Sequence, residues 1–128
     1  MVNRINGCDV ATYNKNVRFV RSLLDTMVTN GLISDYWVDP YIKTIVNSLP
    51  CSMGLTSNRY ILRQATMRCL CDPRNIPQHT MYGSCIELID ANRIIYSVCV
   101  MHLLGYGIKV MVNELCTTEE EIPQRWHL

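Results

Sequence analysis

The chain has 128 residues, 48% of them apolar and 18% charged, with 12 Lys and Arg against 11 Asp and Glu. That length suits one domain, able to bury about two-thirds of its unfolded surface without staples, and the composition excludes a disordered chain. The charge is near balance and the basic residues are scattered along the chain, which excludes a nucleic-acid-binding stripe in the sequence.

Seven cysteines are present: Cys8, Cys51, Cys69, Cys71, Cys85, Cys99 and Cys116. The number is odd, most fall inside apolar helical patterns, and Met1-Val2-Asn3-Arg4 leads into no apolar leader run. A reducing compartment is therefore expected, with most thiols acting as small buried hydrophobes and Cys8 as the exposed one.

The first expected helix covers Thr12 to Asn30, with Val17, Val20, Leu24, Met27 and Val28 on one stripe and Asn30-Gly31 as a left-handed stop. The second covers Asp39 to Leu49: Asp39 is expected as N-cap, Pro40 suits the first helical position, and Ile42, Ile45, Val46 and Leu49 form the apolar face. A third covers Ser57 to Cys71, with Ile61, Leu62, Ala65, Cys69 and Leu70 on its apolar side. Pro73 and Pro77 then predict a loop from Asp72 to Gln78. The last helical region follows Asp90 and is the most apolar. Between Ile94 and Ile108 there is no Lys, Arg, Asp or Glu. The run stops at Lys109, short of the roughly 18 residues a membrane span needs, so it reads as the buried central helix of a bundle. Thr117 to Leu128 opens with the acidic turn Glu119-Glu120-Glu121. No useful strand alternation occurs. The expectation is one all-α domain, residues 1–128, around a central hydrophobic helix.

Enzyme chemistry has no candidate constellation. There is no nucleophile elbow, phosphate-binding glycine loop, HExxH motif or dinucleotide fingerprint, and His79, His102 and His127 are far apart. His102, on the apolar helix, reads as a hydrogen-bonded core histidine. The chemical alternative is a zinc module from Cys69, Cys71, His79 and Cys85. Its C-x-C spacing is weak, since on a helix Cys69 and Cys71 point about 200° apart. The expectation is a non-enzymatic protein without a cofactor.

Several segments, taken in order, resemble a compact, virus-encoded member of the Bcl-2 family. Tyr13-Asn14-Lys15-Asn16-Val17 through Asn30-Gly31-Leu32, followed by Trp37, is similar to the BH4 region. Leu62-Arg63-Gln64-Ala65 matches the start of the family's L-R-x-A-G-D segment, with Thr66-Met67 in place of Gly-Asp. Glu87-Leu88-Ile89-Asp90-Ala91-Asn92-Arg93-Ile94-Ile95 resembles the BH1 stretch, and Asp90-Ala91-Asn92-Arg93 stands where N-W-G-R is expected. The BH1 Trp and Gly are missing, only about 31 residues separate Leu62 from Arg93, and the region after Arg93 is short for the usual C-terminal helices.

The resemblance implies a compact Bcl-2-like bundle that inhibits apoptosis by sequestering host proapoptotic BH3-motif proteins, Bim-like or Bak/Bax-like, in a hydrophobic groove. Arg93 would pair with the ligand's Asp, and Asp90 would cap the central helix and hold Arg93 or a polar group of the ligand. Glu87 and Asn92 belong to the same stretch. Leu62, Met67, Leu70, Met81, Ile86, Leu88, Tyr96 and Val100 would line the groove. The second wall stays open between the Leu62-Arg63-Gln64-Ala65 helix and the preceding one. The implied setting is the host cytoplasm, peripheral at mitochondria and without a transmembrane anchor, with a homodimer as an option. A protein of the same fold that blocks another host pathway through a helix face is the alternative.

Overall fold

Helices dominate the computed structural model, which describes residues 4–5, 8–49, 55–80 and 93–122, with side chains for 9–49, 59–80 and 94–122. Helix α1 is Val10–Thr29. It starts two residues earlier than expected because the Asp9 carboxylate accepts the Thr12 N–H at 2.7 Å, satisfying a first-turn donor. Its end is the expected left-handed stop. Gly31 has φ 74°, its N–H donates to Val28 O, and the Leu32 N–H reaches back to Met27 O, each at 3.0 Å. This is a complete Schellman motif, sealed by the burial of both Leu32 and Met27. An L side chain in this conformation costs roughly 1–2 kcal/mol, so Gly31→Ala is expected to lower stability by about that amount in urea denaturation.

Two two-residue strands, β1 (Arg4–Ile5) and β2 (Cys8–Asp9), pair antiparallel ahead of α1. They are too short to show as an alternation in the sequence. Helix α2 is Val38–Asn47, preceded by a 3-10 turn over Asp35–Trp37. The expected Asp39 cap is not formed. The helix is already under way at Val38, and the Asp39 carboxylate accepts Arg21 Nη2 at 2.7 Å instead. That pair is exposed, 47% and 78% for the two side chains, and is worth about 0–1 kcal/mol. The buried face carries Tyr41, Ile42, Ile45 and Val46.

Helix α3 is Leu55–Cys71 and buries Leu62, Thr66, Met67 and Leu70. Thr66 is tolerated in the core because its hydroxyl donates to Leu62 O at 2.8 Å. The segment expected as a loop holds a single-turn helix, α4 (Ile76–His79). Asp72 O accepts the N–H groups of Asn75 and Ile76, and Pro77 fits the first turn, where its missing donor is not needed.

The long apolar region is two helices rather than one, α5 (Arg93–Leu103) and α6 (Ile108–Leu115). The break is a second Schellman motif: Gly105 has φ 89°, its N–H donates to His102 O, and the Tyr106 N–H donates to Met101 O, both at 3.0 Å. The expectation of burial does hold. Every residue from Tyr96 to Met101 is buried, more than a full turn, so α5 is covered all round. Helix α1 packs on α2 and α3, α3 packs on α5, and α5 packs on α6. A 3-10 turn at Glu119–Glu121 follows, and Ile122 returns to the core. Among the described residues no helix is long and apolar enough to cross a membrane.

Candidate functional site

The residues expected to form a hydrophobic groove are not gathered on an open surface. Leu62, Met67, Leu70, Tyr96 and Val100 are all core side chains, at most 5% exposed. Helices α3 and α5 pack against one another, and these side chains belong to the core. Met81, Ile86, Glu87, Leu88, Asp90 and Asn92 lie outside the described residues, as does the side chain of Arg93.

A different cleft opens between α1 and α3, with a volume of about 890 Å³. One wall carries Lys15, Asn16, Arg18, Phe19 and Ser22 of α1; the other carries Arg59, Tyr60, Leu62 and Arg63 of α3. Helical spacing explains both walls. Lys15, Arg18, Phe19 and Ser22 stand at i, i+3, i+4 and i+7, and Arg59 and Arg63 at i and i+4, so each set shares one helix face. Leu62 forms an apolar floor, Tyr60 is 60% exposed at the rim, and the Arg59 guanidinium lies 5.6 Å from the Phe19 ring centroid, a cation–π contact joining the walls.

Four cations therefore face one cleft, and among the described residues no acid lines it. Arg63 is the most constrained of them. Its side chain is half-buried, and its Nε is shielded from solvent with no hydrogen-bond partner. A desolvated, unmatched donor on a charged fork is costly in the free protein. The nearby Tyr106 hydroxyl is also buried without a partner, and burial raises its pKa while the Arg63 charge opposes that rise.

This cluster was not assigned from the sequence, in which Lys15 and Arg18 fall off the apolar stripe of the first helix. The scatter of basic residues is a property of the chain order only, since folding gathers four of them. The available signal was Arg59 and Arg63 at i, i+4, a like-charge pair that weakens an isolated helix.

A second polar feature lies in the core. His79 is fully buried, with Tyr41 Oη 2.8 Å from its Nδ1 and Tyr96 Oη 2.8 Å from its Nε2. Tyr96 Oη donates to Leu32 O at 3.5 Å, and the Ser34 N–H donates to the His79 carbonyl at 2.7 Å. With a neutral ring, the proton order that fits is Tyr41 O–H to Nδ1, Nε2–H to Tyr96, and Tyr96 O–H to Leu32. Burial pushes the His79 pKa down to about 4 and raises that of Tyr41. A hydrogen-bonded core histidine thus stands at position 79, while His102, expected in that role, is half-buried on α5.

The same arrangement bears on the zinc alternative. Both His79 ring nitrogens are engaged by tyrosines, and Cys85 lies outside the described residues. The thiols of Cys69 and Cys71 are pushed up to about 11, by burial first, with Asp72 adding to the rise at Cys69 and Cys69 adding to that at Cys71, where a Ser97 hydrogen bond pulls the other way. Metal ligation needs the thiolate, which these surroundings disfavour. Among the described residues no three His, Cys, Asp or Glu side chains are placed to hold a metal ion.

No protein-family model, curated protein or solved structure matches the chain.

Proposed function

We propose that this chain is a binding protein that grips a helix of another protein, in the antiapoptotic form of that function: sequestration of host proapoptotic BH3-motif proteins. The observation that carries it is Arg63, half-buried over the apolar floor of the α1–α3 cleft with its Nε unmatched. A BH3 ligand is an amphipathic helix with apolar anchors and an Asp, and a guanidinium beside an apolar surface suits that pattern. The resemblance gave this role to Arg93. Arg63 lies within Leu62-Arg63-Gln64-Ala65, the other family-like motif, and meets the same chemical requirement.

Calorimetric titration with a panel of BH3 peptides tests the reading. Submicromolar binding to at least one peptide is expected, weakened by about 1–3 kcal/mol in whichever of Arg63→Ala and Arg93→Ala removes the Asp partner. Silence across the panel, with the fold intact by circular dichroism, overturns the antiapoptotic form.

A further inference from the structure

We infer that the α1–α3 cleft selects a strongly acidic partner segment, a helix carrying several closely spaced carboxylates on both sides of an apolar residue, with Arg63 as the anchoring contact. This rests on the reading that the cleft holds a partner helix, and it goes further in stating what that helix must carry.

The argument is one of charge complementarity. A single ligand Asp would answer one of the four cations; Lys15, Arg18, Arg59 and Arg63 together ask for several acids. They form two rails, Lys15 and Arg18 on α1 and Arg59 and Arg63 on α3, on either side of Phe19 and Leu62. A helix lying between the rails would present acids to both sides and one apolar contact to the floor. Such an occupant relieves the repulsion among the four cations and offers carboxylates to the guanidinium groups that line the cleft. Three of the four are arginines, whose planar forks suit carboxylates.

A single-stranded nucleic acid would meet the same cations, but two observations favour the peptide. Phe19 is partly buried and already carries the Arg59 guanidinium, which leaves Tyr60 as the one exposed aromatic of the lining, short of the successive stacking platforms a strand uses. The rail from Lys15 to Ser22 is also only about 10 Å long, two turns of helix rather than a track for a strand. The net charge of +1 adds no broad attraction for polyanions beyond the cleft.

Fluorescence anisotropy on the full chain tests the inference. The probes are a labelled helical peptide with leucines on one face flanked by glutamates, its all-glutamine counterpart, a BH3 peptide and a labelled single-stranded oligonucleotide. The glutamate peptide is expected to bind at least about tenfold tighter than the glutamine one, and to lose about tenfold in affinity from roughly 0.05 M to roughly 0.5 M salt. Arg63→Gln and the Lys15→Gln/Arg18→Gln pair should each weaken it by about fivefold or more. Arg74→Gln should change nothing, because Arg74 lies outside the cleft and is held by Asp72. Thermal melts confirm that each variant is folded.

Equal affinity for the two designed peptides overturns the acidic selection, and binding of the BH3 peptide in that same experiment leaves the helix-gripping reading standing. Glutamate-peptide affinity that is unchanged in the cleft variants moves the site elsewhere and overturns the assignment. Tighter binding of the oligonucleotide, sensitive to Arg63→Gln, assigns the cleft to nucleic acid instead. Concentration-dependent self-association abolished by Glu119→Gln/Glu120→Gln/Glu121→Gln assigns it to a second copy of the chain.

Discussion

Replacing His79 with alanine is expected to destabilise the fold by about 3–5 kcal/mol, measured by urea denaturation at neutral pH. Two effects add. The substitution empties a fully buried site, which carries a cavity penalty, and it takes away the acceptor of the Tyr41 hydroxyl, worth about 1–3 kcal/mol when left unmatched in the core, together with the ring's bond to Tyr96. Against a total stability of about 5–15 kcal/mol for a domain this is a large fraction. Tyr96→Phe should cost less, because the ring still fills its place and only the hydroxyl's bonds to His79 and Leu32 are lost. A loss under about 1 kcal/mol for His79→Ala would mean that the tyrosines find other partners.

The same histidine sets an acid limit on stability. Its pKa is about 4 in the fold against an ordinary 6.5, because burial disfavours the charged ring. Above pH 6.5 the ring is neutral in both states and its contribution is complete. As pH falls through the window from 6.5 to 4, the unfolded chain takes up a proton that the folded chain does not. Stability then drops by up to about 1.4 kcal/mol per pH unit, about 3 kcal/mol in all. Denaturation midpoints measured across that window should fall steadily, and a His79→Gln variant should lose most of this slope. A flat profile in the parent protein would show that the ring titrates normally. Asp72 also titrates lower than usual, held by Arg74, so its loss comes on at still lower pH.

Much of the fold could be read from residue order because it depends on local rules. The stripe of Val20, Leu24 and Met27 is buried as its spacing predicts, and Asn30-Gly31 stops α1 as a glycine in the left-handed region does. Ile42, Ile45 and Val46 bury the face expected of α2. Expectation and structure part where two local signals compete. Asp39 is a good capping residue, but Arg21, eighteen positions away, takes its carboxylate. Pro73 and Pro77 are loop residues by habit, yet Pro77 at the start of a single turn costs that turn nothing. Gly105 inside an apolar run weighs little in a hydropathy pattern, although its positive φ divides α5 from α6.

The site was the least legible part, for a physical reason. The cleft is a relation between two helices, and nothing in the order of residues says that Lys15 and Arg18 face Arg59 and Arg63. Likewise no short motif joins Tyr41, His79 and Tyr96, whose partnership exists only after α2, α4 and α5 have come together. Leu62 and Leu70 lie on the apolar face that spacing predicts, and Met67, Tyr96 and Val100 are buried with them, but periodicity does not distinguish a groove wall from a core.

The His79 contacts also have a kinetic consequence. The capping turns and the bonds within each helix are local and can form early. The bonds of His79 and Tyr96 close separations of 38, 17 and 64 residues, and the longest closures carry the greatest entropic cost. They belong to the late side of the folding barrier, so weakening them speeds unfolding more than it slows folding. Their removal is therefore expected to shorten the lifetime of the native state, over and above the loss of stability.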